Sequence, residues 1–370
     1  MIKILLDGGA RIDTRDAVGR TALDWALLQG ESAVAALLRQ RGATLGGWKG
    51  AEPAAAAAPR DPRGAVTLAL DRLQTSAVEF HRQTKCISCH HQSVTAVAAS
   101  IARKNGLPIS DDLSKHPTAA SLAMWAPSRE SFLAGNCGLF GFLGNVSYGL
   151  FGMAAEGVRP NDIMDAATLC LSSLHLPDGH WEGGDMRPPL AGRLPILYTA
   201  LGISALKTYM PPAARPKAAV QIARALDYLR TAVPSDTQGE SFRLIGLLWG
   251  GASRKEITRQ ASRLRRLQQA DGGWAQRESM QSDAYATGQA LYALHLSGLR
   301  VSDPAFQRGT GFLLRTQGKE GTWFVPSRTL GFQPYVETGF PYGRDQFLSA
   351  AGTAWAAVAL SLQTGPPPKR

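Results

Sequence analysis

The feature that most narrows the fold is a loop that recurs with its chemistry nearly intact. "QGKEGTW", Gln317 to Trp323, sets a Gln, a Gly and a Trp at offsets that "QQADGGW" repeats through Gln268, Gly272 and Trp274. A third copy, "HLPDGHW", keeps Gly179 and Trp181 and carries His175 where the others carry Gln, and "RALDYL", Arg224 to Leu229, keeps only the helical half of the unit. Each loop leads into a run of small and apolar residues with no polar face: "SDAYATGQALYALHLSG", "FLSAAGTAWAAVALSLQ" and "PILYTALGISALKTY". A helix that is apolar all round is a buried helix. Recurrence at several tens of residues marks a repeated helical pair, and strand-like alternation is nearly absent. The more polar helices that precede the loops and the apolar ones that follow them predict two layers, outer and inner.

The stretch "RGTGFLLRTQGKEGTW", Arg308 to Trp323, resembles the QW motif of the squalene–hopene and oxidosqualene cyclase family. The resemblance covers most of residues 67–365 and implies an all-α fold, an α/α toroid. It also implies that the Gln and Trp residues are structural, the Gln capping helix ends and the Trp shielding that bond from water, where an unpaired polar group is costly. Residues 1–44 resemble ankyrin repeats: Thr21-Ala22-Leu23-Asp24-Trp25-Ala26 follows a turn, and Leu37, Leu38, Gly42 and Ala43 repeat Leu5, Leu6, Gly9 and Ala10. About three such repeats are needed for stability, so we expect the stub to continue a longer array, with an export signal upstream and a protein partner for the repeats. The Ala/Pro/Gly composition of residues 45–66 reads as a linker, and residues 366–370 as a tail.

At 370 residues the chain has ample length for a core. The net charge of +11 comes from Lys and Arg spread over nearly every segment, which argues against nucleic acid and leaves an anionic lipid surface or an acidic partner open. Four cysteines, Cys86, Cys89, Cys137 and Cys170, do not make a disulfide scaffold. The uncharged stretch from Ser131 to Ala155 is long enough to span a bilayer, but its glycines, Asn136 and Asn145 favour a buried helical pair or an apolar patch on a membrane surface.

"KCISCHHQS", residues 85–93, carries the one compact constellation of chemistry. C-x-x-C-H is the c-type haem attachment spacing: Cys86 and Cys89 would reach the two vinyl groups and His90 would offer an imidazole to the iron. Met124, Met153, Met186, His81 and His91 are candidates for the sixth ligand. Zinc on Cys86, Cys89 and His90 or His91 is the runner-up, lacking a second Cys or His pair to complete a tetrahedral site; a dithiol switch lacks its usual βαβ context. The segment also resembles a "C-x-S-C-H-[HQ]-Q" loop of bacterial ankyrin-plus-cyclase-like proteins, described as squalene-cyclase-like or cytochrome-c-like, with matches at Asp185–Leu190 and Phe332–Leu360. Covalent haem implies export, so the reading is a periplasmic or exported haem c protein for electron transfer or redox sensing.

The alternatives are an isoprenoid cyclase or lyase and a cofactor-free ankyrin–toroid scaffold. The D-x-D-D acid motif of the cyclases is absent, and Asp111-Asp112 lacks the pattern. A pocket is still expected where Gly/Pro loops precede inner helices: Tyr335, Glu337, Tyr342, Arg344 and Asp345 in "YVETGFPYGRDQF", together with Asp283 and Arg187. Those residues could equally cap or brace helix ends.

Overall fold

The computed structural model describes residues 1–48, 60–87, 89–138, 141–183, 189–190, 192–329 and 335–365, and the side chains of residues 89–91 fall outside that description. Among the described residues no β-strand forms, and β-type pairing is confined to isolated bridge positions such as the antiparallel one between Ala275 and Ser282. The rest of the regular structure is helical, as the periodicity predicts.

Three short helices, α1 (Ile2–Asp7), α2 (Ala22–Leu28) and α3 (Ala33–Gln40), open the chain. Leu23, Ala26, Ala35 and Leu38 form a small core of their own. Thr21 and Asp24 make a reciprocal capping box at the start of α2, and Asp24 also accepts from Gly46 N, folding the chain back after α3.

Among the described residues the main body is six helical hairpins. The outer members are α4 (Pro62–Thr84), α6 (Asp111–Trp125) with the short α7 (Arg129–Leu133), α9 (Asp162–Ser173), α11 (Arg215–Thr231), α13 (Arg254–Arg266) and α15 (Pro304–Thr316). The inner members are α5 (Cys89–Lys104), α8 (Phe142–Glu156), α10 (Pro195–Tyr209), α12 (Thr237–Gly250), α14 (Ala284–Leu296) and α16 (Gln346–Ser361). Helix α4 starts inside the alanine-rich stretch because Asp61 caps it and Pro62 occupies its first turn. Packing runs α5–α8–α10–α12–α14–α16 and returns from α16 to α5, so the inner helices close a ring. Each outer helix packs on the flank of that ring.

Composition explains the two layers. Every residue of α14 is apolar, small or able to bond internally, and all of its first eleven residues are buried. Inner helices approach closely where glycine stands: a Cβ on Gly288 would lie 2.4 Å from the Trp355 backbone of α16. By contrast, α13 buries only Ile257, Gln260 and Leu264 and turns its arginines outward. The uncharged stretch at 131–155 is core: Phe132 is buried in α7, and α8 is buried from Phe142 through most of its length as an inner helix. No helix among the described residues is long and apolar enough to cross a membrane.

One covalent link was not read from the sequence. Cys137 and Cys170 form a disulfide that ties the segment before α8 to α9.

Candidate functional site

The recurring loops are stitches, and they repeat atom for atom. The indole N–H of Trp181, Trp274 and Trp323 donates to the carbonyl ten residues earlier, on Leu171, Leu264 and Leu313, at 2.8–2.9 Å. Their backbone N–H groups each donate to a threonine of the following inner helix, Thr199, Thr287 and Thr353. Gln268 Nε2 donates to Gly272 O and to Ala305 O at the start of the next outer helix. Gln317 Nε2 likewise donates to Gly321 O and to Ala65 O of α4, so the last loop is fastened to the first outer helix. The Trp therefore does more than shield the Gln, since it satisfies a helix-end carbonyl itself. His175, in the Gln position, leaves Nε2 without a partner and stacks edgewise on Trp181 at 4.4 Å.

Aromatic rings fill the middle of the ring axis. Tyr285 of α14 lies beside Tyr148 of α8 and Trp355 of α16, and its hydroxyl donates to Gln238 of α12 at 3.1 Å. Phe151 of α8 meets both Trp249 of α12 and Tyr292 of α14, and Phe242 and Tyr292 both meet Trp355. Contacts between α8 and α14 join opposite members of the ring, so these side chains meet across the axis. Burial raises the hydroxyl pKa of Tyr285 and of Tyr292 well above the ordinary phenol range.

Above this aromatic floor the loops preceding α12, α14 and α16 converge into a mouth. Each of these helices begins on an aspartate: Asp236 accepts from Gly239 N, Asp283 from Ala286 N, and Asp345 lies in the turn leading into α16. The segment 327–328 bridges two of them. Arg328 Nη2 pairs with Asp283 Oδ2 at 2.7 Å, with both residues buried, and Ser327 N donates to Asp345 Oδ1 at 2.7 Å. Thr237 N donates to Gln276 O, bringing the α12 and α14 loops together. Burial raises the Asp345 carboxyl above the ordinary carboxylate range against the pull of Ser327, Arg20 and Arg328, and burial likewise raises Asp236. A carboxyl held toward its neutral form is a competent proton donor.

The first 48 residues lie against this mouth. Gln29 Nε2 donates to Arg328 O, Arg277 Nη1 donates to Gln29 O at 2.6 Å, and Glu31 N donates to Ser279 Oγ at 3.1 Å.

Of the pocket residues expected from sequence, the structure joins Asp283 and Asp345 through Ser327 and Arg328. Tyr335 and Glu337 stand outside them on the surface: the Tyr335 hydroxyl bonds Glu337 and accepts from Gln346 Nε2, while Glu337 is held below the usual carboxylate range mainly by that hydroxyl. Tyr342 bonds Thr322, and Arg344 lies 5.9 Å from the Tyr335 ring. Arg187 lies outside the described residues. Sequence reading missed Arg328, Gln276, Gln238 and Gln289, which sit in ordinary-looking helical and loop sequence with no motif to mark them.

At the C-x-x-C-H stretch α4 ends on Lys85 in a left-handed conformation and α5 begins at Cys89. The Cys86 thiol is half-buried, donates to Ile87 O, and has its pKa raised by burial, away from the reactive thiolate. The Cys89, His90 and His91 side chains and Met186 lie outside the described residues. His81 bonds Cys86 O, Met124 takes a bond from Asn145, and Met153 is buried in α8, so these three have partners or packing in the fold itself.

A model of the squalene-hopene cyclase N-terminal domain matches residues 241–325, from α12 through the Trp323 loop. No curated protein matches the chain. Among solved structures, the apo form of the type II terpene cyclase MstE from Scytonema is 16% identical, with a TM-score of 0.50 over 81% of this chain and 97% of that one. A protein from Actinoplanes is also 16% identical, with a TM-score of 0.50 over 82% of this chain and 99% of that one. The fold is thus a terpene-cyclase-like α/α toroid. These findings overturn the reading of the chain as a haem protein for electron transfer or redox sensing. The matched domain and the matched fold are those of cyclases, neither points to haem, and among the described residues no three His, Cys, Asp or Glu side chains form a metal-holding group.

Proposed function

We propose that this chain is an isoprenoid-handling enzyme of the cyclase or lyase type, working at the mouth of the toroid with Asp345 as proton donor. The observation that carries the reading is a buried carboxyl with a raised pKa at the start of an inner helix, in a ring of inner helices whose interior is lined by Tyr, Trp and Phe side chains. In the step this arrangement suits, the Asp345 O–H bond breaks as a C–H bond forms on an alkene carbon. The cation left on the neighbouring carbon is met by ring faces, whose negative quadrupole stabilises it, and loss of a proton or capture of water ends the reaction. The likeness to a type II terpene cyclase supports the substrate class. The Cys137–Cys170 disulfide supports an oxidising compartment and so an exported protein.

One observation favours a second reading, a binding protein that holds an isoprenoid without converting it: the rings that meet across the axis fill the space a folded polyene would need. Incubating the disulfide-intact protein with polyprenyl chains of farnesyl, geranylgeranyl and squalene length, followed by mass spectrometry, separates the two. The enzyme reading expects a product, its loss by about a hundredfold or more in Asp345→Asn with binding kept, and a rate that falls as pH rises, because the acid must carry its proton. Binding with no product would leave the second reading, and conversion unaltered in Asp345→Asn would remove Asp345 from its role.

A further inference from the structure

The first 48 residues meet the toroid through one closely fitted turn. Among the described residues, every hydrogen bond across the contact involves Gln29 or Glu31, which flank Gly30 between α2 and α3. Gln29 Nε2 donates to Arg328 O, Arg277 Nη1 to Gln29 O, and Glu31 N to Ser279 Oγ. Gly30 is buried. Its φ is +83°, and a Cβ there would lie 3.0 Å from Ser279 Oγ and 3.2 Å from Met280 Cγ, so glycine supplies both the conformation and the room.

The place where this turn sits gives it a role. Arg328, whose carbonyl accepts from Gln29, holds Asp283 with its side chain, and the neighbouring Ser327 holds Asp345. Arg277 and Ser279 belong to the loop that leads into α14. From the same N-terminal unit, Arg20 stands close enough to Asp345 to pull on its carboxyl. The unit therefore rests on the segments that shape the mouth and brace its two aspartates.

What holds it there is slight. Its core of Leu23, Ala26, Ala35 and Leu38 is a cluster separate from the core of the ring. Undocking breaks no shared core, and each bond lost is exchanged for one to water at a modest net cost. Chain length permits the movement, because Arg60 is fastened to the last loop of the ring and residues 49–59 can span up to roughly 40 Å. A unit with its own core and a small polar contact opens more readily than the ring itself. We infer that residues 1–48 are a cap that docks reversibly through the Gln29–Glu31 turn and controls access to the mouth. The inference goes beyond the isoprenoid reading and holds for whatever ligand the toroid takes.

Hydrogen exchange on the full chain tests the cap without a ligand. Glu31→Cys with Ser279→Cys, joined by a short bismaleimide, pins it; the same variant before cross-linking is the control, and reagent on the unaltered protein shows what the native thiols contribute. Amides of 279–283 and 327–329 are expected to exchange at least about tenfold more slowly when the cap is pinned. In Gln29→Ala, which leaves the unit's own core alone, and in Gly30→Val, which crowds the turn, they are expected to exchange about threefold or more faster, with the melting temperature of the ring unchanged. Access itself is read from the association rate of geranylgeraniol followed by Trp fluorescence, expected to fall about tenfold on pinning. Equal exchange in pinned and unpinned protein would overturn the inference, since the cap then never leaves. A probe that enters the pinned protein as fast as the free one would overturn it as well. Slower exchange on pinning with no binding of any polyprenyl chain of farnesyl, geranylgeranyl or squalene length would uphold the cap and remove the isoprenoid reading.

Discussion

At the scale of single residues, the comparison of His175 with Gln268 and Gln317 isolates what one side chain contributes. The two glutamines close their loops with a pair of carbonyl bonds each, whereas His175 Nε2 has no partner. Burial, with Arg224 adding to it, pushes the His175 pKa below that of an ordinary imidazole despite the Gly179 backbone bond. The folded state thus prefers neutral His175. Above about pH 6.5, the unfolded value, both states are neutral and its contribution is complete. As pH falls below that, the unfolded chain binds the proton first and stability is lost. His116 and His295 are shifted the same way, each chiefly by burial. His175→Gln is expected to raise stability by about 1 kcal/mol through restored bonds and to flatten part of the acid-side decline, as read from melting temperatures between pH 5 and 8. An unchanged profile would show that the imidazole is already satisfied. The Gln, Gly and Trp of these loops were legible in the sequence because their spacing repeats. The buried pair of Arg328 with Asp283 was not legible, since it joins a loop residue to a helix start 45 residues away that only the fold brings together.

At the scale of elements, the inner helices were the most readable part of the molecule. Uniformly small and apolar runs such as α14 and α16 have no face to show to water, and burial on all sides is the only place for them. The hairpins without a loop signature, α6 with α8 and α11 with α12, were harder to read. The apolar α8 segment suggested a membrane patch as much as a core helix, because its sequence cannot tell lipid from the other inner helices. Close helix contact is where the packing can be tested. In Gly288→Ala the new methyl would fall 2.4 Å from the Trp355 backbone, so α14 and α16 would have to part. A loss of about 1–3 kcal/mol is expected from overpacking, measured by urea unfolding, where alanine on an exposed helix would instead stabilise. A neutral outcome would mean that the two helices can slide apart without cost.

At the scale of the whole molecule, the ring behaves as one body because it is closed by a seam. Gln317 donates to Ala65, 252 residues away, Arg60 reaches Gln317, Gly318 and Lys319, and α16 packs on α5. Gly321 is in a left-handed conformation at φ +84°, with a Cβ position only 2.6 Å from Leu68. Gly321→Ala should therefore open the seam and lower stability by more than the roughly 1 kcal/mol of glycine's backbone advantage alone. We expect one cooperative transition at a lower midpoint, coincident by Trp fluorescence and circular dichroism. A separate early transition would show that α4 and α5 peel away independently. The same seam has a consequence for how the protein is made. The first hairpin of the ring leaves the ribosome with its inner flank facing nothing, and the surface that will cover that flank, α16, is the last helix of the ring to be synthesised. Until then the nascent chain is an open arc of five hairpins with an apolar edge at each end, so newly made chains are open to pairing with one another through those edges, and chaperone supply will set how much of the protein a cell can produce.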